Sequence, residues 1–427
     1  MSTPRLHEAL PELVREGLIS SEQAERITAR YAAPKDQGGN RMMLLFSILG
    51  GFLIGLGIIL VVAHNWDDLG KPARTVFAFL PMAVGQCIVG WTMWKAPNSR
   101  GWKEGGAAFL LLAVGACIAL VSQIYHIPGQ LDGFLLTWSL LTVLLLYVPG
   151  SLIATLLYLG MITWYAAAAR TEHWSTVTYP WAYLPLLLAA LPVYAREWRE
   201  RGSSVGFFWL SSFMAVSIGI ASQLFWQDGH LEIAIGIMGL AVAYCLVPWA
   251  HGGKRLRTAA FPFIGSATIL GILIFLSYHE IWADEMSDHA ALGTDLWPTL
   301  ILLAIGITAY ALALRSREPF TRSLFPESLW AVLLAYAIGL WSPMLATVCV
   351  NAWMFILGLH AVRIGLAQDS LPRMNLGLAI ISGIIVLRFF DLDINDALKG
   401  VVFILLGAGF LLMNVRLIKQ RKMTGHA

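Results

Sequence analysis

Residues 42–90 read MMLLFSILGGFLIGLGIILVVAHNWDDLGKPARTVFAFLPMAVGQCIVG. The first apolar run, from Met42 to Ala63, carries Ser47, Gly51 and Gly55 at four-residue spacing, with Gly57 beside them. A polar bend follows, His64-Asn65-Trp66-Asp67-Asp68, and a second apolar run leads past Gly90. At about 1.5 Å per residue, each run is long enough to cross a hydrocarbon core of roughly 30 Å. The small-residue stripe lets another helix backbone approach closely, which is how membrane helices pack. Two spans joined by a short bend is the layout that the rest of the chain repeats.

Composition agrees. Of 427 residues, 58% are apolar and 13% charged, whereas a soluble domain carries about 25% charge. So much apolar surface cannot be hidden inside a water-soluble particle, and lipid must act as solvent. The fold class expected is all-α, a polytopic bundle of about fourteen transmembrane helices. The net charge of +3 marks no nucleic-acid partner. Cys87, Cys117, Cys245 and Cys349 sit singly in apolar runs with no metal spacing, so neither a disulfide framework nor a metal site is expected. The first 41 residues are charged and hold no cleavable apolar segment, so the first span is expected to be its own insertion signal.

Before that span, residues 1–35 pattern as a helical hairpin. Leu6, Leu10, Leu13 and Val14 keep helical spacing, and Gly17 is placed to end the helix. Ser20 and Gln23 form a capping box for a second helix. Residues 36–41 make a linker, 42–415 the transmembrane domain and 416–427 a basic tail.

Apolar segments fall at 42–63, 73–94, 105–124, 133–148, 151–169, 180–195, 205–225, 231–249, 258–278, 297–314, 327–341, 343–366, 372–390 and 397–415. Segments 133–148 and 327–341 are short, and only Pro149-Gly150 and the poorer turn Ser342-Pro343 part them from their neighbours. Charge settles the count. With fourteen crossings and a cytoplasmic N-terminus, 24 Lys and Arg fall inside and five outside: Lys71, Arg74, Arg170, Arg388 and Lys399. That is the positive-inside bias of a bacterial inner-membrane protein with both termini cytoplasmic. Asp284, Glu285, Asp288 and Asp295 share one outer loop.

Polar and aromatic residues gather at the outer ends of odd-numbered spans. They are His64, Asn65, Trp66 and Asp67; Gln123, Tyr125 and His126; Gln223 and Trp226; Arg388 and Asp391. These are the candidate ligand-binding residues, suited to an amphipathic or anionic ligand such as a lipid headgroup or sugar. An interfacial aromatic belt is the competing explanation. Ser122-Gln123-Ile124-Tyr125-His126 and Ser222-Gln223-Leu224-Phe225-Trp226 resemble each other, from a repeated hairpin or from that belt. Six of ten histidines (His64, His126, His173, His230, His279, His289) lie in outer bends, without HxxxH or HExxH spacing. Within the spans only Gln86, Asn351 and His360 stand out, and no mid-span acid is present to couple an ion. No GxSxG, P-loop or dinucleotide fingerprint occurs in a credible context, so neither catalysis nor a cofactor is expected.

Gly17-Leu18-Ile19-Ser20-Ser21-Glu22-Gln23-Ala24, Gly55-Leu56-Gly57 and Asn65-Trp66 resemble an uncharacterised bacterial membrane family, domain of unknown function 2157. Arg388-Phe389-Phe390-Asp391, then Gly400-Val401-Val402-Phe403 and Gly407, resemble the ending of such proteins. The likeness is good over 6–95 and mainly hydropathic beyond. It implies a cytoplasmic hairpin on an inner-membrane bundle and supplies no activity. The expected function is a transporter or carrier of lipid or another amphipathic ligand, with its site at the periplasmic rim. The alternative is a non-transporting assembly, sensing or regulatory protein acting through the hairpin. Membrane lipids are the expected partners, with another membrane or periplasmic protein as a further class.

Overall fold

The structure is a computed structural model. It describes Leu10, residues 13–31, 69–95, 99–147, 151–171, 179–202, 204–226, 229–246, 260–287, 296–315 and 324–391, and a few positions between 401 and 408. Met1–Val76 and Phe77–Ala427 form two compact units, the boundary falling within the helix Lys71–Lys95.

In the first unit, a helical turn ends at Gly17, whose φ of +70° is a left-handed conformation that glycine adopts without a Cβ clash. Leu18 N donates to Leu13 O at 3.1 Å, closing that end. Ser20 and Gln23 then bond reciprocally. Gln23 N donates to Ser20 Oγ (3.2 Å) and Ser20 N to Gln23 Oε1 (2.9 Å), opening α1 (Ser21–Tyr31) with the expected capping box.

In the second unit the predicted segments become α2 (Lys71–Lys95), α3 (Arg100–Tyr125), α4 (Leu131–Thr142, prolonged by a 3-10 turn to Leu146), α5 (Leu152–Thr171) and α6 (Tyr183–Arg201). There follow α7 (Val205–Gln223), α8 (His230–Leu246), α9 (Ala260–Leu276), α10 (His279–Ser287) and α11 (Leu296–Arg315). The last are α12 (Ser328–Gly339), α13 (Pro343–Ala367) and α14 (Leu371–Asp391). The first predicted span lies outside the described residues and the last almost wholly so. The protein is thus an all-helical, polytopic membrane bundle. Among the described residues seven helices are long and apolar enough to cross a membrane, namely α2, α3, α5, α7, α11, α13 and α14. α4, α8, α9 and α12 are apolar but shorter.

Both weak boundaries separate two helices. Ser342 does more than the poor turn chemistry expected of it. Its Oγ accepts from Leu345 N at 3.4 Å, and Pro343 takes the first helical position, where its missing N–H matters least. Trp353 Nε1 donates to Ser328 Oγ at 3.0 Å and ties α13 back onto α12. A further difference from expectation is α10, formed in what reads as an acidic loop. Trp282 explains it: the ring is fully buried and its Nε1 donates to Leu276 O at 2.7 Å, so the segment folds back onto the bundle.

Two cores organise the unit. α5 is the hub of the first, burying Tyr158, Leu159, Ile162 and Ala166. Hydroxyls cross-link its helices: Thr163 Oγ1 and Ser217 Oγ lie 2.6 Å apart, Tyr183 Oη reaches Ser217 Oγ at 2.9 Å, and Tyr244 Oη donates to Ala215 O at 3.0 Å. Such bonds hold helices together where lipid offers no hydrophobic preference for a neighbour. α8 is the hub of the second. Twelve of its seventeen residues are buried, so it is apolar all round rather than on one stripe. It crosses α11 at Gly239 and Gly306, where a Cβ on Gly306 would collide with the backbone of Gly239. α13 and α14 meet in the same manner at Gly358 and Gly377.

Candidate functional site

A cavity of about 860 Å³ opens among α2, α3 and α4, within the 300–1,000 Å³ typical of ligand pockets. Three local features shape it. At the end of α3, His126 takes a left-handed φ of 54°, Ile127 N donates to Ser122 O and Ser122 Oγ donates to Ile127 O, both at 2.9 Å. This knot reverses the chain. Pro128-Gly129-Gln130 then leads into α4, with Gln130 as N-cap but making no side-chain capping bond. Beside it, the Trp138 ring lies against Gly115 and its Nε1 donates to Leu111 O at 2.8 Å, clamping α3 to α4.

The walls are apolar: Phe79 and Met82 from α2, Cys117 and Ile118 from α3, Phe134 and Leu141 from α4. Ser122, Gln130 and Thr137 supply polar atoms, and no charged side chain lines the space. The Ser122 and Thr137 hydroxyls spend their protons on Ile127 O and Gly133 O, which leaves them as acceptors, while the Gln130 amide offers both donor and acceptor. Such a lining suits an apolar chain with a neutral polar end.

The predicted site residues fall as follows. His64, Asn65, Trp66 and Asp67 lie outside the described residues. Gln123, Tyr125 and His126 are exposed at the end of α3, beside the cavity rather than in its lining, and Gln223 is exposed at the end of α7. Trp226 is buried; its Nε1 donates to Thr299 Oγ1 at 2.9 Å and its carbonyl accepts from Arg170 Nη2 at 3.3 Å. Arg388 works in the second core. Its Nη2 donates to Ser277 Oγ at 2.9 Å, its guanidinium lies 5.0 Å from the Tyr278 ring centroid, and Asn351 Nδ2 reaches Ser277 O at 3.1 Å. Asp391 is the last residue of α14. Gln123, Gln223 and Arg388 therefore stand on three different helices. The two similar pentapeptides also end differently, with Tyr125 exposed and Phe225 and Trp226 buried.

Nearby aromatics cluster with one another. Trp181 stacks on Trp297 (5.8 Å, 15°) and Tyr179 on Phe225 (6.2 Å, 7°), joining the ends of α6, α7 and α11. Among the described residues no three metal-ligating side chains converge. Sequence reading missed Gln130, Gly133 and Thr137; the available signal was the Pro128-Gly129-Gln130 turn followed by small residues at helical spacing.

A family model described as a predicted membrane protein, DUF2157, matches residues 11–155. This is the family whose likeness the hairpin and first bend carry, and the match extends to the start of α5, taking in all three helices of the cavity. No curated protein and no solved structure matches the chain.

Proposed function

We propose that this protein is a carrier for a lipid or other amphipathic molecule, held in the cavity among α2, α3 and α4 at the periplasmic rim of the bacterial inner membrane. The cavity carries the reading: an apolar interior of about 860 Å³ with its amide and hydroxyl groups at Ser122, Gln130 and Thr137. The acyl portion lies against Phe79, Phe134 and Leu141, and the head meets Gln130. With no charge in the lining, the head selected is neutral or zwitterionic.

Gly133 offers the test, because it lines the cavity and a Cβ there meets nothing within 4 Å. Gly133→Trp fills the space without a backbone collision. With full-length protein in phosphatidylcholine nanodiscs, a photoreactive acyl-chain probe should label wild type between α2 and α4 and label this variant several-fold less. Leu188→Trp, at a position 61% exposed on α6, is the control. Equal labelling of all three proteins would sink the reading.

A second reading, assembly or regulation through the hairpin, is favoured by Leu18, an apolar side chain 67% exposed at its turn. Deleting residues 1–35 should leave insertion intact and remove a partner if that reading holds; loss of insertion would contradict it.

A further inference from the structure

Near the start of α9, the end of α13 and the start of α14, a smaller cavity of about 200 Å³ is lined by Ser266, His360 and Arg373, together with Phe325 and Leu357. Basic residues gather at these helix ends: Arg363 near the end of α13 and Arg373 in the first turn of α14. The polar side chains around the space are an arginine fork, an imidazole and a hydroxyl, and no acid is among them. His360 Nε2 is shielded from solvent and meets no hydrogen-bond partner among the described residues. A buried ring nitrogen without a partner leaves a hydrogen-bonding capacity unmet, so the site is short of one group. Arginine can donate two parallel bonds to an oxyanion, and a neutral or charged imidazole can add a third.

We propose that this cavity binds a phosphate group, with Arg373 and His360 as donors and Ser266 completing the shell. The space is too small for an acyl chain, so a lipid would enter by its head alone, and a soluble phosphate would enter in the same way. The inference is independent of the carrier reading, since the two cavities share no residue.

The test is thermal unfolding of the full chain in phosphatidylcholine nanodiscs, titrated in one arm with phosphatidylglycerol and in the other with inorganic phosphate at constant ionic strength. Wild type should be stabilised in at least one arm. Stabilisation by phosphatidylglycerol alone identifies a lipid headgroup, and stabilisation by inorganic phosphate identifies a soluble anion. Arg373→Gln, at an exposed position where folding is not at risk, should raise the half-saturating concentration at least about tenfold, as expected for loss of a charge-assisted pair. His360→Phe should weaken it as well, while Arg315→Gln, exposed and outside the lining, should leave it unchanged. No stabilisation in either arm, or equal weakening by Arg315→Gln, would overturn the proposal.

Discussion

Glu104 joins two helices beside the first core. From α3 its carboxylate accepts from Ser151 Oγ (2.8 Å), Leu152 N (3.1 Å) and Ile153 N (2.8 Å), so one helix supplies the anion that caps the N-terminus of another. Glu104→Ala should lower unfolding stability in detergent by about 1–3 kcal/mol, with Glu104→Gln intermediate because an amide oxygen still accepts; equal stability of all three would disprove the cap. His126 invites a different comparison. Its left-handed backbone suits asparagine, so His126→Asn should fold normally, whereas His126→Val should be destabilised by about 1–3 kcal/mol. Lost ligand binding in the well-folded asparagine variant would mean the imidazole itself is used. These residues also mark where sequence reading ends. Gly17, Ser20 and Gln23 were legible because their partners lie within a few positions. Glu104 reaches across 47 residues and Trp226 across 73, and nothing local signals such pairings.

At the scale of the element, hydropathy located the helices well because burial in lipid or protein demands unbroken apolar runs with paired backbones. It could not say which helices face lipid. α8 and α11 have similar composition, yet most of α8 is buried, while Leu300 and Leu312 of α11 are 61% and 56% exposed. The difference lies in neighbours, and glycine crossings set those. Gly306→Leu should drive α11 off Gly239 and abolish monodisperse purification, as should Val at Gly377. Gly219→Ala and Gly271→Ala, where a Cβ meets nothing, should be neutral or slightly stabilising, by up to about 1 kcal/mol. Size-exclusion profiles compared side by side would check this; tolerated Gly306→Leu would mean the crossing is not tight.

For the whole molecule, the 24-to-5 distribution of Lys and Arg predicts that both termini share the cytoplasmic side. Reporter fusions after residues 67, 172 and 288 should score as periplasmic and one at the C-terminus as cytoplasmic. A cytoplasmic signal at 172 alone would show that α4 and α5 do not make two crossings. The short α4 and α12 bear on that count. At 1.5 Å per residue the twelve residues of α12 extend about 18 Å, well under the hydrocarbon thickness of roughly 30 Å. Such a helix crosses only with help from its flanking turns or from a locally thinned bilayer. Polar and aromatic residues at the ends of apolar runs stand out in the sequence as a class; that Gln130 lines the cavity and Gln123 does not follows from the reversal at His126.

The enclosure of α8 has a consequence in time. Its seventeen residues extend about 25 Å, and its most extensive partner, α11, is completed only at Arg315. At the roughly 5–20 residues per second of synthesis, α8 waits between roughly 3 and 14 s for that partner. Throughout the delay its glycine face stands uncovered, so a nascent chain halted before Leu296 leaves exposed the close-packing surface that α11 later covers.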